Sequence, residues 1–187
     1  FMRVCFLNQT ADDTTGAGRF YVSLVSALKR LEPNFEHTVL TSASSGSAGE
    51  LAIIPSRLWH TPFVIPRVRQ IFERYEIIHA LDGYPFGAVA ALSRLGMNRK
   101  LVITAIGTGA LRPLRRPVLG MVLNWAYKNA DALTAISNYT KRELLLAEPS
   151  LDIRVINHGV DSELFSSAVS RNISEGERAG IEKLKPY

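Results

Sequence analysis

The chain has 187 residues, of which 47% are apolar and 21% are charged, and its net charge is +5. This length allows one good-sized domain with a substantial core and is too short for two ordinary domains. The charged fraction argues against disorder over most of the chain. The modest positive charge favours anionic ligands only weakly, and neither a recognised motif nor strong basicity indicates nucleic-acid binding.

Cysteine usage and targeting signals bear on the compartment. The one cysteine, Cys5, lies in an apolar run, so no disulfide framework is possible within the chain. We expect a buried strand residue there rather than a reactive thiol. The sequence has no apolar run of about 18 residues and no visible signal peptide, which predicts a cytoplasmic protein without a transmembrane span.

Short apolar runs alternate along the chain with longer amphipathic stretches. The short runs predict seven strands, at residues 2–8, 37–42, 51–54, 76–80, 100–106, 132–136 and 153–156. The amphipathic stretches predict five helices, at residues 16–31, 67–75, 85–95, 117–130 and 138–147. Residues 42–49 are rich in Ser, Gly and Ala and predict a loop, and residues 55–66 predict irregular structure.

This alternation predicts an α/β fold, a Rossmann-like three-layer α/β/α sandwich with a mostly parallel sheet. Ligands in such folds bind outside the carboxyl ends of the strands. Here that rule indicates the loops after residues 8, 80, 106, 136 and 156. From about Ser166 the chain becomes polar and mixed in charge. We therefore expect one domain over residues 2–165 and a linker or surface helix over residues 166–187.

The loop between the first strand and the first helix contains Gly16-Ala17-Gly18. Small residues with free N–H groups at the positive end of a helix suit a phosphate, and Arg19 in the first turn is unfavourable unless an anion is bound. The alternative is a tight glycine turn in which Arg19 is solvated or paired with Asp12 or Asp13. Spacing alone does not decide between them.

Two familiar phosphate-binding motifs are excluded at this loop. A dinucleotide fingerprint requires a third small residue, which falls at Tyr21, and an acid at the end of the second strand, which ends in Thr41-Ser42. A P-loop requires G-x-x-x-x-G-K-[ST], which the sequence lacks. Binding of NAD is therefore not expected.

Five segments resemble family 4 glycosyltransferases of the GT-B fold in order and spacing. They are GAGRFYVSLVSALKRL, IIHALDGYPFGAVAAL, LVITAIGTGALRPLRRP, NADALTAISNYTKREL and RVINHGVDSELF. The third is similar to the strand and loop that the family usually writes VVTAHGTG. The fourth resembles its AD-x-hydrophobic-x-AIS-x-x-T segment, and the fifth its I-P-N-G-V-D-x-x-x-F segment. The resemblance runs from the first strand to about Phe165.

The resemblance implies the N-terminal half of a retaining glycosyltransferase of cell-envelope polysaccharide synthesis. Such an enzyme transfers a sugar from a nucleotide-sugar donor to a saccharide or lipid-linked acceptor, with no metal or other cofactor. A C-terminal domain of the same polypeptide would hold most of the donor, so this chain alone is expected to be inactive.

The resemblance also assigns residues by position. The donor diphosphate would contact the glycine loop, at Gly16, Ala17, Gly18 and Arg19. The cleft and acceptor site would be lined by residues that follow the later strands, namely Asp82, Tyr84, Gly107, Thr108, Ser137 and His158, with Ser137 capping the helix that faces the cleft.

The chain departs from the family pattern at two places. Ile106 stands where the family usually has a histidine near the transferred sugar. In the fifth segment Asn157-His158 replaces Pro-Asn. His158, on a loop at the end of a strand, is one residue that would compensate for the missing histidine.

Other polar residues have simpler interpretations. The four histidines lack metal-ligand spacing, and His79 is expected to be a core or sheet-end residue rather than part of a site. Asp82 is either a turn residue or a contact to an acceptor hydroxyl. Lys141 and Arg142 oppose the dipole of their helix and are either solvated or drawn to an anionic ligand.

A basic cluster precedes the apolar helix that contains Trp125, and its residues are Arg112, Arg115 and Arg116. One interpretation is a peripheral membrane contact, since basic and aromatic surfaces bind anionic lipids. The favoured alternative is a core helix with a solvated basic entry.

Two competing functions remain. One is a stand-alone, non-catalytic module that binds a sugar or an anion. The other is a GT-B relative such as a nucleotide-sugar 2-epimerase, which the family 4 motifs disfavour.

Overall fold

The computed structural model describes residues 2–55 and 60–159, and it contains a single sheet of parallel strands in this part of the chain. The strands are β1 (Arg3–Asn8), β2 (Glu36–Thr41), β3 (Glu50–Ala52), β4 (Ile77–Leu81), β5 (Lys100–Ala105), β6 (Ala132–Ala135) and β7 (Ile153–Val155). Their order across the sheet is β3-β2-β1-β4-β5-β6-β7. The predicted Rossmann-like α/β fold is therefore confirmed.

Helices connect the strands as the sequence pattern requires. They are α1 (Gly16–Leu31), α2 (Thr61–Phe72), α3 (Ala88–Arg94), α4 (Thr108–Leu111), α5 (Pro117–Lys128) and α6 (Asn138–Ala147). A wide π-type turn at Gly83–Gly87 precedes α3, and a turn of 3₁₀ helix at Arg112–Arg115 links α4 to α5. The predicted bounds of the first and last helices agree with α1 and α6.

Two separate apolar clusters, one on each face of the sheet, pack helices against it and so give the fold its three layers. On one face of the sheet, α1 packs Tyr21 and Val25 against Phe6 and Val39. On the other face, α2, α3, α5 and α6 pack against the opposite side chains of the strands, with Phe72, Leu123 and Leu144 fully buried. Burial of both faces explains why these strands are nearly continuous apolar runs.

The prediction for residues 55–75 was wrong in one respect. Helix α2 begins at Thr61 and continues through Pro66, although we expected irregular structure up to that proline. Pro62 lies in the first turn, where its missing N–H costs nothing. Val68 and Phe72 are fully buried against the core, and this packing stabilises the helix despite Pro66.

The loop after β5 also differs from expectation. Residues 108–115 form two short helical turns where we predicted a loop, because the segment is too short for a periodic signal. Compact packing in the first unit extends to Asn157, and a second unit begins at His158. The predicted domain end at 165 and the predicted linker at 166–187 lie outside the described residues.

Candidate functional site

The centre of the sheet brings the carboxyl ends of β1 and β4 side by side. The connection after β1 leads to β2 on one side, whereas the connection after β4 leads to β5 on the other. This reversal creates a crevice at the carboxyl edge, which is where open α/β sheets bind ligands. All the predicted site residues of the first unit follow the carboxyl ends of strands at this edge.

The glycine loop is a tight, self-capped turn. Thr15 is the N-cap of α1, and its Oγ1 accepts a hydrogen bond from the Gly18 N–H at 3.0 Å. A Cβ atom on Gly18 would collide with the Asp12 carbonyl oxygen, so packing requires glycine there. Gly16 is exposed and has open space around it. The Arg19 guanidinium is also exposed and lies 3.5 Å from the Asp13 carbonyl oxygen.

A buried asparagine that sequence reasoning did not single out holds this loop to the sheet. Asn8 ends β1, and its Nδ2 donates to the carbonyl oxygens of Thr10 at 2.9 Å and Ala17 at 3.0 Å. Its Oδ1 is buried without a partner among the described residues. The available signal was a polar residue at the end of a fully buried strand.

Asp82 directly follows β4 and has an unusual backbone conformation, with φ of 122°. Few residues other than glycine adopt positive φ, and such strain clusters at functional sites. The Asp82 Oδ1 accepts the Gly83 N–H at 2.8 Å. Burial raises the pKa of the Asp82 carboxyl, and the N–H groups of Gly83 and of the 106–109 loop partly offset that rise.

The Asp82 carboxyl group thus serves as an internal hydrogen-bond acceptor for the loop after β5. A Cβ atom on Gly109 would lie 2.5 Å from the Asp82 Oδ2, so the two groups are in close contact. Gly107 is less constrained, since its Cβ position is 3.8 Å from the same oxygen. Asp82 is therefore more than a simple turn residue, because it fixes the loop that carries Gly107 and Thr108.

Two tyrosines lie beside the contact between Asp82 and the loop after β5. Tyr84 is half-buried in the turn after Asp82 and packs against the core. Tyr127 on α5 donates its hydroxyl to the Ala110 carbonyl oxygen at 3.0 Å, which ties α5 to α4. Burial raises the pKa of the Tyr127 phenol well above its usual value, so it remains a neutral donor.

An open cleft of about 490 Å³ lies between the loops after β5 and β6. Its polar lining comes from six residues, Thr108, Arg112, Arg115, Ser137, Tyr139 and Thr140. Ile106, Leu111 and Ile136 line its apolar part, and the lining contains no acidic residue. Three predicted residues, Gly107, Thr108 and Ser137, therefore border one cleft. Arg112 and Arg115 were noticed in the sequence only as a basic cluster.

Helix α6 forms one wall of this cleft. As expected, Ser137 is its N-cap, and the Ser137 Oγ accepts the Thr140 N–H at 3.1 Å. Lys141 donates its Nζ to the Ile153 carbonyl oxygen at 2.7 Å and so holds α6 to β7 rather than facing a ligand. The Arg142 guanidinium lies 5.6 Å from the centre of the exposed Tyr139 ring.

Two residues in the strands have structural roles. His79 packs against Phe6, and its Nε2 lies 2.8 Å from the Thr104 Oγ1. Burial lowers the pKa of His79 to about 4, so the ring is neutral at pH 7. Cys5 is fully buried, and burial raises the pKa of its thiol, which makes it unreactive. Both agree with the core interpretation.

His158 lies just beyond β7 and opens the second unit. Its compensating role for Ile106 therefore stays a prediction. Ile106 itself is half-buried and contacts the apolar cluster beneath α1.

Residues 2–55 and 60–159 contain no group of three or more His, Cys, Asp or Glu side chains placed to hold a metal ion. None of their helices combines the length and the apolar character needed to cross a bilayer.

The fold and the cleft define an α/β domain of the kind that makes up one half of GT-B enzymes. The model of glycosyltransferase family 4 matches residues 14–164, and the chain belongs to that family. A search of curated proteins finds no match.

Solved structures of a UDP-glucose complex and of UDP-GlcNAc 2-epimerases share the fold. HepE from Anabaena, solved in complex with UDP-glucose, is 18% identical with a TM-score of 0.64, and the match covers 92% of this chain and 51% of HepE. The UDP-GlcNAc 2-epimerase from Neisseria meningitidis is 12% identical with a TM-score of 0.62, covering 95% of this chain and 52% of the epimerase. The UDP-GlcNAc 2-epimerase from Methanocaldococcus jannaschii is 15% identical with a TM-score of 0.61, and the match covers 100% of this chain and 54% of the epimerase.

This chain therefore spans about half the length of the structures it matches. Because epimerases are among the structures that share the fold, the fold alone does not separate a transferase from an epimerase. The family match is what favours a transferase.

Proposed function

We propose that the chain is the N-terminal, acceptor-side half of a retaining glycosyltransferase. The full enzyme transfers a hexose from a nucleotide-sugar donor to a saccharide or lipid-linked acceptor in the cytoplasm. The observation that carries the proposal is the family match over residues 14–164, together with the cleft at the carboxyl edge of the sheet. The remaining half would be a C-terminal domain of the same polypeptide.

The donor diphosphate would meet the glycine loop. Helix α1 has 16 residues, and its positive end lies beside the crevice at the centre of the sheet. The open space at Gly16 allows a phosphate oxygen to approach the backbone N–H groups of Gly16 and Ala17. The Gly18 N–H is engaged by Thr15, so Gly18 supports the turn, and the exposed Arg19 supplies positive charge.

The acceptor would enter the cleft between the loops after β5 and β6. Thr108 and Ser137 present hydroxyl groups to it, Gly107 allows close approach, and Asp82 and Tyr84 support the loop from behind. The apolar Ile106 replaces a hydrogen-bonding histidine, which favours a donor sugar or a geometry different from the family's usual one.

Charge development on the leaving diphosphate limits what this half does alone. Sugar transfer with retention needs positioned donors and cations around the departing group, and most would come from the missing half. We therefore expect no transfer by the 187-residue chain. The competing stand-alone binding module predicts that the reading frame ends near Tyr187, whereas the half-enzyme predicts about 150 to 200 further residues.

A peripheral membrane contact is a finer part of the proposal. Val118 and Met121 on α5 are 61% and 67% exposed, and Arg115 and Arg116 lie at the start of the same helix. Exposed apolar side chains beside basic ones suit an anionic lipid surface. Replacing Val118 and Met121 with serine should reduce sedimentation with anionic vesicles, and sedimentation indifferent to both changes would remove this contact.

The decisive experiment compares the full-length enzyme with this chain in a transfer assay over a panel of nucleotide sugars. The full-length enzyme should transfer and the chain alone should not. In the full-length enzyme, Gly16→Asp should raise the KM for the donor about tenfold, because a carboxylate at the helix start repels the diphosphate without harming the helix.

Ser26→Asp is the matched control, since it places the same charge on an exposed position further along α1. It should leave the donor KM unchanged. Sugar transfer by the 187 residues alone would refute the expectation that this half is inactive. Equal effects of the two substitutions on the donor KM would refute the donor contact at the glycine loop.

A further inference from the structure

The cleft between α4 and α6 has a pronounced charge imbalance. Arg112 and Arg115 line it, and no acidic residue does. We propose that this cleft binds an oxyanion group of the acceptor, a phosphate, carboxylate or sulfate, with Arg112 and Arg115 as its direct ligands. The identification of the ligand as an acceptor rests on the proposed function, whereas the oxyanion site itself rests on the geometry of the cleft.

The local helix type points both arginines the same way. Arg112–Arg115 is one turn of 3₁₀ helix, in which residues three apart are eclipsed. Their side chains therefore leave the backbone on the same side, toward the cleft they line. Arg116 ends the turn and does not line the cleft.

Packing holds this turn in place. Pro113 is buried, and the Arg116 N–H donates to the Pro113 carbonyl oxygen at 3.0 Å. Gly120 on α5 approaches so closely that a Cβ atom there would lie 2.7 Å from the Leu114 carbonyl oxygen. A rigid base reduces the entropy that the two arginines lose when they bind a ligand together.

The charge of the two arginines is uncompensated within the described residues. Neither guanidinium makes a hydrogen bond or an ion pair there, whereas Arg94 binds Asp131 and Arg3 binds Glu76. Two like charges in one cleft repel each other, and an anion between them removes that repulsion. Guanidinium groups also match the geometry of planar carboxylates and of phosphate in bidentate hydrogen bonds.

The opposite wall supplies neutral hydrogen-bonding groups. The hydroxyls of Ser137 and Thr140 lie 3.1 Å apart, and Thr108 is exposed on the third side. Arg142 does not line the cleft, but its guanidinium lies 5.6 Å from the centre of the Tyr139 ring and adds a third positive charge nearby. An oxyanion held by the arginines would thus place the sugar or alcohol that carries it against hydroxyl groups.

The test uses the 187-residue chain and site-resolved NMR titration, with inorganic phosphate, glucuronate and sn-glycerol 3-phosphate as anionic probes and glucose as the neutral probe. Each anionic probe should shift resonances of residues 106–116 and 137–140, and glucose should not. Shifts confined to residues 15–20 would overturn the proposal, because they would assign the anion to the glycine loop.

The variant Arg112→Gln with Arg115→Gln should weaken phosphate binding at this site at least about tenfold. The matched control is Arg30→Gln with Arg74→Gln, which removes two exposed arginines that precede β2 and β4 at the amino edge of the sheet. Both double variants carry a net charge of +3, since each subtracts 2 from +5. Equal weakening in the two would mean that net charge alone acts, and would also overturn the proposal.

Vesicles of phosphatidylcholine with phosphatidic acid distinguish the source of the anion. If the vesicles bind through the arginines no more tightly than sn-glycerol 3-phosphate does in solution, a soluble acceptor is supported. Tighter arginine-dependent binding of the vesicles supports a lipid-borne headgroup. In the full-length enzyme, the arginine variant should lose transfer while donor hydrolysis persists. Absence of both reactions in the unsubstituted enzyme would count against the proposed function and leave the anion site standing.

Discussion

The two glycine loops at the carboxyl edge of the sheet are alike in how they divide their glycines. The second glycine of each loop, Gly18 or Gly109, is pressed against protein oxygen atoms. The first, Gly16 or Gly107, has space for a ligand to approach. In each loop, therefore, one glycine is required by packing, and the glycine two positions earlier leaves space for a ligand.

The two loops differ in the protein groups that accept hydrogen bonds from their backbone N–H groups. In the first, the Thr15 hydroxyl caps the helix, and the nearby Asp12 carboxylate accepts a hydrogen bond from the Thr14 hydroxyl. In the second, no side chain caps α4, and the buried Asp82 carboxylate binds the loop instead. Under the proposed function, the positive end of α1 in the first loop would receive an external anion. In the second, the Asp82 carboxyl group occupies that place, and the proposed external oxyanion would be bound by Arg112 and Arg115 instead.

The largest expected effect concerns the first loop. Gly18→Ala should lower the free energy of unfolding by about 3 kcal/mol, because its Cβ atom would overlap the Asp12 carbonyl oxygen and the backbone must move. Gly16→Ala should leave stability unchanged or raise it slightly, since alanine favours the helix. Urea denaturation of both variants measures the difference, and equal stabilities would show that the two glycines are equivalent.

A smaller contrast is expected in the second loop. Gly109→Ala should cost about 2 kcal/mol, because the Cβ atom would lie 2.5 Å from a carboxylate oxygen that rotates less freely than a surface side chain. Gly107→Ala is the control and should cost far less. Thermal unfolding monitored by circular dichroism compares them. If Gly107→Ala proves the more damaging substitution, the role given to Asp82 is wrong.

The smallest effect tests the cap itself. Thr15→Ala removes the hydroxyl that accepts the Gly18 N–H and should cost about 1 kcal/mol. Thr14→Ala is matched in chemistry, but the exposed Thr14 donates its hydroxyl to the Asp12 carboxylate in a solvent-exposed hydrogen bond, and its loss should change stability little. Denaturation midpoints separate the two. A Thr14 effect as large as the Thr15 effect would contradict the assignment of Thr15 as the cap.

Much of the fold was predictable from local pattern. The bounds of α1 and α6 agree with prediction because amphipathic spacing and small or capping residues mark their ends. The start of α2 was not predicted, because Pro66 locally favours a break in the helix. The burial of Val68 and Phe72 stabilises the helix enough to outweigh that preference. The helical turns at 108–115 were missed because they are shorter than one hydrophobic period.

The candidate site was predictable in position but not in detail. Parallel strands deliver their following loops to one edge, so Gly107, Thr108 and Ser137 were expected together and do border one cleft. The contact of Asp82 with Gly109 joins residues far apart in sequence and has no local signal. Likewise, the basic cluster was visible, but the side on which its arginines project was not.

The amino-acid sequence by itself determined the α/β alternation, the family and the edge of the sheet where ligands belong, because these follow from periodicity and from motif order. Only the tertiary structure decided which glycine of each pair is free, what neutralises each loop and that Arg112 and Arg115 share a cleft. The reason is that these properties arise from close contacts between segments distant in the chain, as where the Cβ position of Gly109 lies 2.5 Å from the Asp82 Oδ2 and that of Gly107 lies 3.8 Å from it.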